Sequence, residues 1–306
     1  MAQKTLVTIV GPTAVGKTAL SIFLANQFDC PIISCDSRQF FKEMTIGTAV
    51  PSAAELKQAE HYFIQNRSIT DEYSIGSYEK DALELLTHLW KTHDVIVMVG
   101  GSTMYEKAIT EGLHQFPEVP DHIYQYYNDQ FEQRGIAILR EELFKIDPVY
   151  YHSIDLQNPR RLIRALAINR SSNKNMTYWQ SFEKQPREFN ILKIGLDADR
   201  DELYSRIDKR VDIMLKNGLL DEARSLSEFQ HLRSLQTVGY QELFPYFDGK
   251  YDLEEAVRLI KRNSRRYAKR QMTWYRKDAT VNWFNYKTRH AAIARRVKVL
   301  LTEFTD

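Results

Sequence analysis

Only two cysteines occur in the 306 residues, Cys30 and Cys35, and none follows them. That excludes a disulfide framework, and with no Cys/His cluster it excludes a four-ligand zinc site as well. The chain has no apolar run of about eighteen residues and no signal-peptide pattern, so the expectation is a cytosolic protein that does not enter a membrane. Repeats and low-complexity tracts are missing too. With 43% hydrophobic and 27% charged residues, composition gives no reason to expect extensive disorder. The length allows one large or two modest domains and a sizeable core.

One sign of charge is absent locally. From Arg258 to Lys277 there are nine Lys or Arg and no Asp or Glu, in a chain with 42 basic and 40 acidic residues and a net charge of +2. Setting those nine aside leaves 33 basic against 40 acidic residues, a net of −7. Positive charge is therefore concentrated, as attraction of a polyanion requires. In this helical stretch Val257, Ile260, Tyr267 and Trp274 recur at helical spacing and read as the buried stripe. Arg258, Arg262, Arg265, Lys269 and Arg276 fall on another face, suited to phosphate contact; a merely solvated basic face is the plainer alternative.

Four short β-rich runs, Thr5–Val10, Pro31–Cys35, Asp94–Val99 and Asn190–Leu196, alternate with helical patterns, and Val281–Asn285 is a candidate fifth. VIVMV is apolar throughout, as expected of a parallel strand covered on both faces. The alternation predicts a doubly wound α/β sheet. Residues 117–185 break the rhythm with Tyr-rich and Arg-rich helical patterns, and Asn158-Pro159 reads as an N-cap followed by proline at the first helical position. This stretch is expected to be a helical insertion into a core formed by residues 1–116 and 186–306, whose C-terminal part is again helical.

Residues 6–18 read LVTIVGPTAVGKT: a strand, then Gly11-x-x-x-x-Gly16-Lys17-Thr18, then a helix. That is the context a P-loop requires. Backbone N–H groups of Gly11, Pro12, Thr13, Ala14, Val15 and Gly16 (proline lacking its own) would turn toward phosphate oxygens. Lys17 adds a charge, and Thr18 offers a hydroxyl to Mg²⁺. The motif indicates a diphosphate or triphosphate without naming its carrier. Strand Asp94–Val99 ends in Gly100-Gly101-Ser102-Thr103 rather than in an acid, a poor fit to an ATP hydrolase. Strand Pro31–Cys35 does end in an acid, Asp36, followed by Ser37, Arg38 and Gln39. Parallel strands share one C-terminal rim, so Asp36 and Ser102 should face the phosphates. A loop cap or a metal-shell ligand is the alternative for Asp36.

These segments together resemble one family, the bacterial tRNA dimethylallyltransferases, over nearly the whole chain. GPTAVGKT at 11–18, CDSRQFF at 35–41, IGTAVP at 46–51, VGGSTMY at 99–105, NPRRLIRAL at 158–166, GLLDEAR at 218–224, QTVGYQE at 236–242 and RRYAKRQMTWYR at 265–276 occur in family order. Val15 stands where Ser is common, Ser102 where Thr is usual, and Thr103 where Gly is common. The resemblance implies a P-loop NTPase-like fold whose loop binds the diphosphate of dimethylallyl diphosphate. It implies transfer of the dimethylallyl group to the exocyclic amine of an adenosine, position 37, in the tRNA anticodon loop. Asp36 is the implied general base. Lys17, Mg²⁺ on Thr18, Ser102 and Arg224 are the implied stabilisers of the leaving group.

Contact with a flipped base and its anticodon stem-loop is expected from Asp36, Ser37, Arg38 and Gln39, and from Arg160, Arg161, Leu162, Ile163 and Arg164 in the insertion. The same is expected of Gln236, Thr237, Val238, Gly239, Tyr240 and Gln241, and of Arg262, Arg265, Lys269, Arg270, Gln271, Trp274 and Arg276. A monomer is expected. An adenylate isopentenyltransferase acting on free nucleotide, a nucleoside or small-molecule kinase, and a non-catalytic RNA-binding P-loop protein are the competing readings. With no cysteine after Cys35, the chain looks like the compact bacterial form rather than relatives with a C-terminal zinc finger.

Overall fold

The computed structural model describes residues 4–304. Two compact units emerge: one runs up to Thr110 and resumes at Arg187, and the other is Glu111–Pro186. The second unit starts before Pro117 because Phe116 packs on that unit's own core.

The first unit is built on strands β1 (Thr5–Val10), β2 (Ile32–Ser34), β3 (His61–Tyr62), β4 (Val95–Val99), β5 (Asn190–Asp197) and β6 (Asn282–Asn285). They form one sheet in the order β3-β2-β4-β1-β5-β6, with every pairing parallel. β1 is central and buried along its whole length. Alternate strand residues point to opposite faces. Val7, Ile9, Ile32 and Val97 enter one core, and Leu6, Ile33, Ile96 and Met98 enter another. Both faces are therefore covered, which is why β4 is apolar throughout and β1 nearly so.

Helices α1 (Lys17–Phe28), α2 (Ala53–Leu56) and α3 (Ile75–Leu89) connect the first four strands, and α4 (Thr103–Thr110) follows β4. α1 packs into the first core and α3 into the second, through Tyr78, Ala82 and Leu86 at helical spacing. The Ser74 side chain caps α3 by accepting from the Ser77 amide. The second unit is all helical: α5 (Asp121–Arg134), α6 (Ile136–Ile146), α7 (Pro148–Ser153), α8 (Pro159–Ser172) and α9 (Met176–Gln180). Asn158 caps α8 through the Arg161 amide, with Pro159 in its first turn.

After β5 come α10 (Arg200–Lys216), α11 (Leu219–Ser225), α12 (Tyr240–Phe247), α13 (Leu253–Tyr275) and, after β6, α14 (His290–Thr302). Residues of α10 to α13 close a third core that includes Val211, Leu219, Leu243 and Ile260. A buried ion cluster fastens α4 to the sheet: Lys193 on β5 reaches Glu106 (3.2 Å) and Asp278 (2.8 Å). No helix among the described residues is long and apolar enough to cross a membrane.

The buried stripe of α13 differs from the expected one. It is Ala256, Ile260, Ala268, Gln271 and Tyr275, while Trp274 is 37% exposed. Ala256 and Ala268 let the helix approach its neighbours closely, and Tyr275 rather than Trp274 is the aromatic that this face buries.

Candidate active site

Because the strands are parallel, β1, β2 and β4 deliver their C-terminal ends to one rim. The 11–18 loop leaves β1 with Ala14 in the left-handed region (φ 64°) and enters α1 at Lys17. Lys17 Nζ donates to the carbonyls of Gly11 (3.0 Å) and Pro12 (2.8 Å). Asp36 follows β2, and its Oδ1 accepts from the Arg38 amide (3.1 Å). The exit of β4 lies against that of β2: a Cβ at Gly100 would stand 2.5 Å from Cys35 Sγ. A Cβ at Gly101 would stand 3.3 Å from Asp36 Oδ2, so glycine keeps the approach to the carboxylate open. Ser102 Oγ accepts from the Ser37 amide (3.0 Å) and shares a hydrogen bond with Ser37 Oγ (2.9 Å).

These elements surround a cavity of about 440 Å³ lined by Thr13, Lys17, Thr18, Asp36 and Gly101, among others. Three further cations line it that sequence reasoning missed: Arg206, Lys209 and Arg210 of α10. Arg210 donates to Thr13 Oγ1 (2.7 Å) and Arg206 to the Ala14 carbonyl (2.9 Å). Their signal was a basic set at i, i+3 and i+4, which shares one helix face. One intervening acid, Asp208, and acids on either side dilute that signal.

Burial pulls the Lys17 ammonium down to about 8, opposed by the nearby Asp36 carboxylate. It lowers Arg210 as well, again opposed by Asp36. Converging, partly desolvated cations suit a polyanion, whose charge offsets their desolvation. A pH dependence follows. An anion favours the charged form of Lys17, so binding takes up a proton once the free ammonium has begun to lose it. With the diphosphate ester fully ionised, its affinity should fall as pH rises through about 8. Calorimetric titration across this range checks it, and a flat profile through about pH 9 would remove Lys17 from the binding site.

The other sequence-derived residues divide by environment. Arg38 is held by the carbonyls of Arg233 (3.0 Å) and Ser234 (2.9 Å), and Gln39 by those of Thr48 (3.2 Å) and Ala49 (3.0 Å). Gln271 is buried; its Oε1 accepts from the Thr13 amide (2.9 Å) and its Nε2 donates to the Gly101 carbonyl (2.7 Å). It bridges two loops of the site rather than facing solvent. Leu162, Ile163 and Tyr240 are likewise buried, so their side chains are core, whereas Arg160, Arg161 and Arg164 are exposed. Gln236 and Gln241 are exposed, Thr237 and Val238 half-buried, and Gly239 buried. Arg224 is exposed, stacks 4.3 Å over the Phe247 ring and is not among the cavity-lining residues, whereas Arg206 and Arg210 are.

The basic run of α13 is less naked than its sequence implies. Arg258 pairs with Glu255 (2.6 Å), Lys261 with Asp212 (2.6 Å), Arg265 with Asp208 (2.6 Å) and Arg276 with Asp197 (2.8 Å). Arg262 meets Asn263 (3.3 Å). Lys269 and Arg270 are exposed and form no ion pair among the described residues.

Residues 39–278 match the family model described as IPP transferase. A tRNA dimethylallyltransferase of Flavobacterium johnsoniae is 50% identical over 94% of this chain and 94% of its own. Another, of Christiangramia forsetii, is 53% identical over 92% and 93%. Among solved structures, a full-length tRNA isopentenylpyrophosphate transferase of Bacillus halodurans superposes with a TM-score of 0.74 at 35% identity, covering 98% of both chains. The parallel sheet, the loop at its rim and these likenesses agree, and the chain belongs to the IPP transferase family.

Proposed function

We propose that this chain transfers the dimethylallyl group of dimethylallyl diphosphate to the exocyclic amine of an anticodon-loop adenosine of tRNA, position 37, releasing diphosphate. The observation that carries the reading is a carboxylate, Asp36, sharing one cavity with the half-buried cations Lys17 and Arg210. The adenine nitrogen attacks the first carbon of the prenyl group, the carbon–oxygen bond to the diphosphate breaks, and Asp36 takes the amine proton. An adenine amine is a poor nucleophile because its lone pair is delocalised, so timely removal of that proton matters. Charge develops on the leaving oxygen, and Lys17, Arg206, Arg210 and the loop amides offset it.

Mg²⁺ is part of the proposal, and the donor set fits it. Thr18 lines the cavity and its hydroxyl has no hydrogen-bond partner among the described residues. No group of three His, Cys, Asp or Glu among them forms a protein cage. One hydroxyl together with diphosphate oxygens and waters is the kind of shell magnesium accepts. When bound, the ion would neutralise diphosphate charge. In the second unit, Arg160, Arg161 and Arg164 are proposed to hold anticodon stem-loop phosphates or stack on unpaired bases. The proposal includes a monomeric, cytosolic enzyme.

Labelled dimethylallyl diphosphate incubated with bulk tRNA or with AMP tests the reading. Label in tRNA is expected; label in AMP alone would replace tRNA by a free nucleotide as acceptor.

The ion pairs of α13 sharpen the RNA side. Lys269 and Arg270, changed together to Gln, should flatten the slope of log affinity for tRNA against log salt by about 1.4 to 1.8, at about 0.7 to 0.9 per lost phosphate contact. Arg265→Gln should flatten it by less than about 0.7, because Asp208 already holds that guanidinium. Equal slopes for wild type and the double variant would leave this face merely solvated.

A further inference from the structure

Two segments noted in the sequence, GLLDEAR at 218–224 and IGTAVP at 46–51, meet in space. Glu222 on α11 accepts through Oε2 from the amides of Thr45 (3.0 Å) and Ile46 (2.8 Å). Its Oε1 accepts from the Gly47 amide (2.9 Å) and the Tyr240 phenol (2.7 Å). Three successive backbone N–H groups thus close around one carboxylate, an anion-holding turn filled by the protein's own side chain. Tyr240 lies flush against this turn: a Cβ at Gly47 would stand 2.6 Å from its ring atoms. Gln39 grips the next two residues through their carbonyls. Ala49 is held at φ 52°, a left-handed conformation unfavourable for a residue with a Cβ.

Thr48, Ala49 and Pro51 of this clamped turn line the same cavity as Lys17 and Asp36. With a diphosphate against Lys17 and the reacting carbon near Asp36, the hydrocarbon must lie on the apolar lining, to which Ala49, Pro51, Ile64 and Val99 contribute. Burial of each extra methylene is favourable in water, so an apolar pocket by default prefers a longer chain. Selecting five carbons needs a wall that does not yield.

From this geometry we infer that Glu222 and Tyr240 set the upper limit on prenyl-chain length by holding the 45–51 turn rigid against the cavity. They are positioning residues for donor specificity, and Tyr240 serves the donor rather than the RNA. The inference rests on the proposed prenyl transfer.

Glu222→Gln replaces one acceptor oxygen by an NH₂ group that faces donors, and Tyr240→Phe removes one hydrogen bond. Turnover with tRNA is measured for dimethylallyl diphosphate and for its ten-carbon homologue, geranyl diphosphate. The ratio of kcat/KM, five-carbon over ten-carbon, should fall at least about tenfold in Glu222→Gln and by less in Tyr240→Phe, with tRNA affinity within about threefold of wild type. Tyr240→Phe, which leaves Glu222 intact and does not touch the cavity lining, carries the test where Glu222→Gln does not fold. Folded variants that keep the wild-type ratio overturn the inference, and loss of tRNA affinity at an unchanged ratio returns Tyr240 to RNA contact. A wild type that transfers neither prenyl group overturns the functional reading and this inference together; a wild type active on dimethylallyl diphosphate with an unmoved ratio overturns this inference alone.

Discussion

Replacing Asp36 by Asn is expected to slow single-turnover prenyl transfer by about 10²- to 10⁴-fold while tRNA affinity stays within about threefold of wild type. The substitution is isosteric, and an amide oxygen can still accept from the Arg38 amide, so the local turn survives. What disappears is a group able to take a proton as the new carbon–nitrogen bond forms. The separation of rate from affinity is the decisive part, because a purely structural Asp36 would lower both together. Rates within about threefold of wild type would strip Asp36 of the base role.

Lys17→Met should produce the second large effect, a loss of about 10²- to 10³-fold in kcat together with weaker binding of dimethylallyl diphosphate. Methionine has a similar length and fills the same space without the charge. Its consequence for folding should be small or favourable. In the unliganded protein the ammonium is buried enough to be pulled down to about 8, so the fold gains little from its charge. Bare tRNA binding should hardly change. A lowered melting temperature with unaltered use of dimethylallyl diphosphate would make Lys17 a structural residue that hydrogen-bonds Gly11 and Pro12, and nothing more.

The parts of this fold that could be read from the sequence are those dictated locally. β4 announces itself as an unbroken apolar run, and β1 and β5 as mostly apolar ones, because both sheet faces are covered. β3 has only His61 and Tyr62, both half-buried at the sheet edge, so no run exists to detect. The loop at the sheet rim was legible because its motif sits in eight consecutive residues, 11–18. Arg206 and Arg210 were not, since they reach the loop from α10 and only the tertiary fold brings them within hydrogen-bond range of Thr13 and Ala14. The same holds for the basic run. Its neutralising partners Asp208 and Asp212 lie on a neighbouring helix, outside any sequence window centred on α13. Gln271 looked like one more polar residue in a basic segment, and its burial follows from close packing through alanines, which carries no strong sequence signal.

The bridge made by Gln271 has a thermodynamic implication. One carboxamide fixes the Thr13 amide of the phosphate loop and the Gly101 carbonyl beside Asp36, and it is carried on the helix whose outer face bears Lys269 and Arg270. A displacement of that helix would reach the 11–18 loop through one hydrogen bond and the backbone beside Asp36 through the other. Linkage makes such an effect symmetrical: whatever factor one substrate applies to the affinity of the other is returned in full. Two substrates bound in this cavity would then be partners in a single binding equilibrium, with the Gln271 carboxamide as one physical link between their sites.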